Sequence, residues 1–394
     1  MKTVVSASSP PERRSRLDRS RATRLVGEIF EAQGLHAKRV ESLANGVVGV
    51  LRTSVLSIHM IGQAYAELAS IRAKHGVKQV DRFLSNPAFD VWRLLSSWAA
   101  FVVAGRKDIV IALDWTDFDL DDHTTLAAYV VTQHGRATPL AWQTVQKSEL
   151  KGRRVLIERD FIERVQAALP QSVHVTLLAD RGFADQTLYP LLCSLGWDYV
   201  VRFREYTKVE HAGVSRRASE WIPASGRATK LCDVFITEGR TPIPAVVFVR
   251  GKQMKEAWCL VTSLDELKAQ DIVKLYAKRF TIEETFRDQK DLRFGLGLRA
   301  THIRRADRRD RLLLLTALAQ VLLTLLGAAA EAVGLDRALK VNTSPKRTHS
   351  LFRQGSYWYG AIPNMRDDWL SELMAAFDRI VAEHAVFREV YAVI

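Results

Sequence analysis

Two stretches of the 394-residue sequence that read as buried strands stop at an aspartate: the unbroken apolar run 109–113 before Asp114, and the mainly apolar residues 173–179 before Asp180. An unbroken apolar run of this length reads as a strand buried on both faces. A carboxylate ending such a strand sits beside the core and needs a partner, and a hard divalent cation would serve both. Taken singly, each aspartate is also explained as a cap on the turn or helix that follows. A third carboxylate changes that balance. Residues 271–290 are helical in pattern, and on a wheel of about 100° per residue Tyr276, Arg279, Glu283, Arg287 and Lys290 fall within an arc of roughly 80°. Leu275, Ile282 and Phe286 make an apolar stripe beside that arc, which places Glu283 among cations on a partly docked face. An i,i+4 ladder from Glu283 to Arg279 or Arg287 is the plainer use of the same residues.

The elements that must position these side chains change character along the chain. Residues 24–104 have helical apolar spacing broken at His75-Gly76 and Asn86-Pro87, which predicts several short helices. After Gly105 strands begin, and two β-rich runs at 126–132 and 139–145 flank His134-Gly135-Arg136 as a hairpin. A helix over 151–169, the strand ending at Asp180, a helix over 186–195 stopped by Gly196, and a strand over 199–203 follow in alternation. Short β-runs at 234–237, 245–249 and 258–262 then read as a β insertion, and helical patterning returns at Leu267 and persists to an amphipathic helix from about Asp368.

The composition, 47% hydrophobic and 26% charged, is that of a folded protein and excludes wholesale disorder or a disulfide-stapled miniprotein. With 57 Lys plus Arg against 44 Asp plus Glu, the net charge of +13 favours an anionic partner, nucleic acid before an acidic membrane. Paired carboxylates can also hydrolyse glycosides, but nothing in that chemistry asks for so many arginines beside the acids. Cys193, Cys232 and Cys259 form no C-x-x-C pair, which suggests neither a disulfide framework nor a zinc site and fits a reducing, cytoplasmic setting. The N-terminal stretch lacks the apolar core of an export signal and turns basic through Arg13, Arg14, Arg16, Arg19, Arg21 and Arg24, an arginine-rich arm rather than a packed element, whose plainer reading is a solvated tail. Residues 312–330 are about long enough to cross a bilayer, but Thr316, Gln320 and Thr324 make a polar stripe at helical spacing, so a buried core helix is expected and no membrane.

The spacing Tyr276-x2-Arg279-x3-Glu283-x6-Lys290 resembles the Y-x2-R-x3-E-x6-K signature of bacterial insertion-sequence transposases of the DDE class, in the insertion-sequence-four group. The stretches LDWTDF at 113–118, LADRGFAD at 178–185, YVVRF at 199–203 and WCLVTS at 258–263 are similar to the same family, in the same order, with a weaker likeness in VDRFLSN at 80–86. The resemblance implies an α/β fold: a ribonuclease-H-like catalytic core with an inserted β-rich subdomain, flanked by N-terminal and C-terminal helical regions. The expected organisation is a basic arm and helical DNA-binding region over 1–104, core over 105–204, insert over 205–265, core with the signature helix over 266–335, and a C-terminal helical region over 336–394.

By the same resemblance Asp114, Asp180 and Glu283 are the catalytic triad and hold two Mg²⁺ ions, with Mn²⁺ as a substitute. A phosphodiester displacement gains from two hard cations, one at the attacking and one at the leaving oxygen. Tyr276, Arg279 and Lys290 are implied to hold phosphates at the transposon end, with Arg287 beside them where some relatives carry lysine. Trp258 and Arg202 stand where hairpin-forming relatives place a base-stacking tryptophan and a strand-end arginine. Phe280 departs from the tryptophan often found at its position. Asp117, Asp119, Asp121 and Asp122 crowd the first motif, and Asp117 is the nearest alternative to Asp114. Arg299, Arg304, Arg305, Arg308, Arg309 and Arg311 are dense enough to be expected along phosphates. The implied partners are double-stranded DNA, as element ends and as target, and a second copy of the chain in a synaptic complex. The rival is a catalytically inactive DNA-binding protein derived from a transposase.

Overall fold

The computed structural model describes residues 19–132, 135–252, 254–293, 295–341, 343–344 and 347–383. Five helices come first: α1 (Arg19–Phe30), α2 (Ala37–Thr53), α3 (Ile58–Leu68), α4 (Ala73–Ser85) and α5 (Val91–Val103). The basic arm expected from the sequence is in part a packed helix. Arg13, Arg14 and Arg16 lie outside the described residues, but Arg19, Arg21 and Arg24 belong to α1, whose Ala22, Leu25 and Val26 are buried. Arg21 there bonds Asp378 near the other end of the chain at 2.8 Å.

Strands β1 (Asp108–Phe118), β2 (His123–Val130) and β3 (Thr138–Gln146) form an antiparallel meander. Helix α6 (Arg154–Ala168), strand β4 (His174–Ala179), helix α7 (Leu188–Ser194) and strand β5 (Asp198–Phe203) follow, with β4 parallel to β1 and β5 parallel to β4. The order β3-β2-β1-β4-β5, with helices packed on it, is the ribonuclease-H-like arrangement. The apolar runs of β1, β4 and β5 are buried because they lie inside the sheet and under helices.

The β-rich segment continues the same sheet. Strands β6 (Lys208–His211), β7 (Val214–Arg217), β8 (Thr229–Ile236), β9 (Thr241–Val249) and β10 (Trp258–Thr262) extend it to ten, in the order β5-β10-β9-β8-β6-β7. Pairing of β10 along β5 gives the β5 backbone, otherwise an open edge of the core, its hydrogen-bond partners. The β6–β7 hairpin, too short and polar to show in the apolar pattern, turns on Ala212 and Gly213, both at positive φ.

Helices α8 (Ala269–Ala277) and α9 (Thr281–Lys290) are joined through a tighter turn at Lys278–Phe280, where a single helix was expected. Then come α10 (Ala306–Ala332), α11 (Leu351–Ala361) and α12 (Asp367–Glu383). Residues 312–330 are almost wholly enclosed by the protein's own elements, among them α2, α11, α12 and β3, which makes this stretch a core helix. Its polar stripe is internally satisfied: Thr316 and Thr324 donate to the carbonyls of Leu312 and Gln320, and Gln320 accepts from Gln289 of α9.

Helices α10 and α11 cross at glycines. A Cβ at Gly355 would lie 1.7 Å from the Leu323 carbonyl oxygen, and one at Gly327 would lie 1.9 Å from that of Leu351. Both obstacles are backbone and cannot swing aside. Gly355→Ala is therefore expected to cost about 3 kcal/mol of stability by forcing the helices apart, measured by urea denaturation; an unchanged stability, or the gain of up to about 1 kcal/mol that alanine ordinarily brings to a helix interior, would disprove the close crossing.

Candidate active site

The parallel register of β1 and β4 ends with Leu113 opposite Ala179, so the next residues, Asp114 and Asp180, emerge side by side. β1 does not stop there, as the apolar run suggested. It continues to Phe118 by pairing with β2 alone, and Asp114 sits opposite Ala127 within the strand. Asp180 does cap the turn that follows: its Oδ1 accepts from the Arg181 amide at 2.5 Å. Capping and membership of the carboxylate pair are thus compatible.

Helix α9 brings the third carboxylate, and four anchors hold it to the meander. The Thr285 hydroxyl donates to the Ala137 carbonyl and accepts from its amide, at 3.0 and 2.9 Å. Arg136 bonds Asp288 at 2.5 Å. Gln289 accepts from the Tyr129 hydroxyl at 3.1 Å, and the Lys290 ammonium donates to the Asp117 carbonyl at 2.8 Å. Glu283, on the same short helix within about two turns of every anchor, inherits their rigidity.

Arg279 joins the set. Its Nη1 donates to Asp114 Oδ2 at 3.2 Å and its Nη2 to Glu283 Oε1 at 2.6 Å, although only 4% of the residue is exposed. The guanidinium lies over the Phe280 ring at 4.9 Å, and its buried Nε has no partner. Burial pushes the Asp114 carboxyl up to about 6, against the pull of Arg279 and the Trp115 amide, and the charges of Asp180 and Glu283 push it the same way. Asp114 therefore feels both other carboxylates, and Arg279 is the cation whose charge interacts with all three.

Asp117 is otherwise engaged, accepting from Lys147 and Thr124 at 2.7 Å each. Two residues that sequence reasoning passed over support both aspartates from α6. Glu158 accepts from the Trp115 indole at 2.7 Å and from Arg154 at 2.8 Å, and Arg154 lies 5.6 Å from the rings of both Trp115 and Phe183. The signal was present: Glu158 shares the apolar face of α6 with Phe161, Ile162 and Val165, and a carboxylate there must have a partner.

Residues 105–322 match the family model of the transposase DDE domain, more than half of the 394-residue chain. The chain belongs to the transposase DDE domain family. No curated protein matches it. The matched span of this DDE transposase holds Asp114, Asp180, Glu283 and all four signature positions.

Tyr276 and Lys290, which share the spacing with Arg279 and Glu283, are more enclosed than a wheel suggests. Tyr276 is 1% exposed, and burial raises its hydroxyl to about 12. Lys290 lies 4.6 Å from the Phe118 ring, and burial together with the Arg299 charge pulls its ammonium down to about 8. Arg287 stands outside this group, pairing with Glu284 at 3.0 Å on the exposed face of α9. Trp258 is half-buried, edge-on to Tyr276 at 5.0 Å and stacked on Phe280 at 5.9 Å. Arg202 reaches Glu256 at 2.6 Å and the Ala257 carbonyl at 3.1 Å.

The arginine cluster after α9 does not form one phosphate-facing row. Arg309 is 0% exposed, bonded to Asp121 and to His123 and lying over Phe118. Arg311 is buried against the carbonyls of Leu84 and Phe89, Arg308 pairs with Asp81, and Arg305 with Asp307. Only Arg299 and Arg304 of the six are exposed without such a bond among the described residues. Density in sequence did not mean exposure, because the first turns of α10 are packed between the α4–α5 region and the β1–β2 turn.

Proposed function

We propose that this DDE transposase is of the insertion-sequence-four branch, binds the terminal inverted repeats of its own element, and cleaves at their ends with Asp114, Asp180 and Glu283. The observation that carries this reading is that Asp114, within β1, and Asp180, just past β4, emerge side by side, with Arg279 bridging Asp114 to Glu283 of α9. The donors are all carboxylate oxygens, the set that suits Mg²⁺ or Mn²⁺. The cluster is also short of positive charge, since burial and two neighbouring acids outweigh one guanidinium at Asp114. Among the described residues no three acidic, histidine or cysteine side chains stand close enough to enclose an ion, and Arg279 lies between Asp114 and Glu283.

When bound, a pair of divalent ions would supply Lewis acidity to a phosphodiester and lower the pKa of an attacking oxygen. The protein's own part begins with Arg279, which exchanges its carboxylate partners for a phosphate of the element end. An arginine fork suits that exchange, since it binds either anion in the same planar geometry. The α9 anchors keep Glu283 in place while its partner leaves, and the Glu158–Arg154 pair keeps the two aspartate segments together. Water attack at the element end frees a 3′-hydroxyl, which then attacks DNA; synapsis of two ends brings two copies of the chain together. Tyr276 and Lys290 act from the buried side of the site by orienting Arg279 and β1, and Trp258 is the side chain placed to stack on an unpaired base.

The test is cleavage of a labelled duplex carrying the element's own ends, with Mg²⁺ or Mn²⁺ and with EDTA. Cutting that needs metal supports the reading. Binding without cutting under any metal would hand it to the inactive, DNA-binding alternative.

A further inference from the structure

Beside the carboxylates lies a second polar cluster of opposite sign. Arg181, the residue after Asp180, and Arg202, on β5 opposite Leu260 of β10, both donate to one oxygen, Glu256 Oε2, at 3.1 and 2.6 Å. The two arginines differ in how they are held. The Arg202 side chain is 14% exposed, tied to the Ala257 carbonyl, and its Nε is buried without a partner. The Glu256 side chain is 51% exposed, on the connection from β9 to β10. The basic half is therefore built into the sheet, and the acidic half is the replaceable one.

Two guanidinium groups converging on a single anionic oxygen is the arrangement that holds a non-bridging phosphate oxygen. Its position suits DNA. Arg181 follows a carboxylate of the triad, and Glu256 is two residues from Trp258, whose ring packs on Tyr276 and Phe280 next to Arg279. A strand passing the carboxylates would present a neighbouring phosphate there.

We propose that Arg181 and Arg202 form a seat for one phosphodiester group of the DNA strand entering the active site, and that Glu256 fills this seat in the DNA-free protein as an internal competitor. DNA binding then exchanges one anion for another, which costs affinity on every encounter. This rests on the reading of Asp114, Asp180 and Glu283 as a DNA-cleaving centre.

The experiment measures binding of a labelled duplex carrying the element's end to the full chain. Glu256→Gln is expected to tighten binding about three- to tenfold, the worth of two partly exposed ion pairs that no longer have to be broken. Glu238→Gln, an equal charge change on the exposed β8–β9 turn, controls for net charge and should change affinity much less. Arg181→Gln should weaken binding and lower the log–log salt slope, by at most about 0.9, the share of one phosphate, since Arg202 still faces it. In the Arg181→Gln background the gain from Glu256→Gln should shrink toward that of the control. All three side chains are exposed enough for the variants to fold, which thermal melting verifies. A Glu256→Gln effect no larger than the control, or one undiminished without Arg181, overturns the proposal while leaving the cleavage reading intact. Failure of the parent to bind duplex DNA at all overturns that reading, and this one with it.

Discussion

Asp114→Asn, Asp180→Asn and Glu283→Gln should each lower metal-dependent cleavage of element ends by roughly a thousandfold or more, in the range seen when one member of a concerted catalytic set is removed, while duplex binding stays within a few-fold. Each substitution keeps the shape and removes the charge. Asp114→Asn also carries a stability signature, the one expected of a buried carboxylate. The folded-state value of about 6 lies above the ordinary 3.8, so between these values the folded protein holds a proton that the unfolded chain has released. The contribution of Asp114 to stability is then fully present below about pH 4 and lost as pH rises through 6. Asparagine still offers Arg279 an acceptor and does not ionise. In metal-free buffer the stability difference should turn in favour of the Asp114→Asn variant above pH 6, by at most about 3 kcal/mol, and added Mg²⁺ should reverse it for the parent alone. A pH-independent difference between the two proteins would show that Asp114 is not the buried, crowded carboxylate described. Undiminished cutting by Asp114→Asn would move the first metal ligand elsewhere, with Asp117 next.

Arg309→Met should destabilise the protein by about 3–5 kcal/mol, because it strands the Asp121 carboxylate, itself 7% exposed, inside the structure. The guanidinium also gives up its bond to His123 at 3.1 Å and its place over Phe118. Adding Asp121→Asn should recover most of the loss, since the uncompensated charge and not the missing contact dominates. Urea denaturation of the parent, the single variant and the pair measures it. The salt dependence of DNA binding should not change with Arg309→Met, whereas loss of Arg299 or Arg304, if either touches a phosphate, lowers the slope by about 0.9. A stable Arg309→Met protein with a shallower salt slope would return Arg309 to the DNA surface.

Much of this site is legible in the sequence because its signals are local. Apolar runs bounded by aspartate mark where buried strands lie, and fixed helical spacing puts Arg279 and Glu283 on one face; both follow from backbone geometry over a few residues. The alternation of strands and helices between residues 108 and 203 likewise implies a mixed sheet, and the ribonuclease-H-like order was the outcome. The core helix over 312–330 was distinguishable from a membrane span by its polar stripe, although not its partner, Gln289.

What only the tertiary structure decided is which charges face water and which face one another. Six arginines close together in sequence carry the same local signal, yet Arg309 and Arg311 are interior and Arg299 and Arg304 exposed, because burial depends on what distant segment packs over each turn of α10. The same holds for Arg279: its spacing to Glu283 is local, but its bond to Asp114 spans 165 residues and needs β1 beside α9. Glu256 had no mark in sequence at all, since its two partners come from the ends of β4 and β5. The sequence alone determined the residue types, the elements and the chemistry they could carry, since propensity and periodicity act over short range; pairing across the sheet determined where each charge finds its counter-charge, since electrostatic partners are chosen by distance in space.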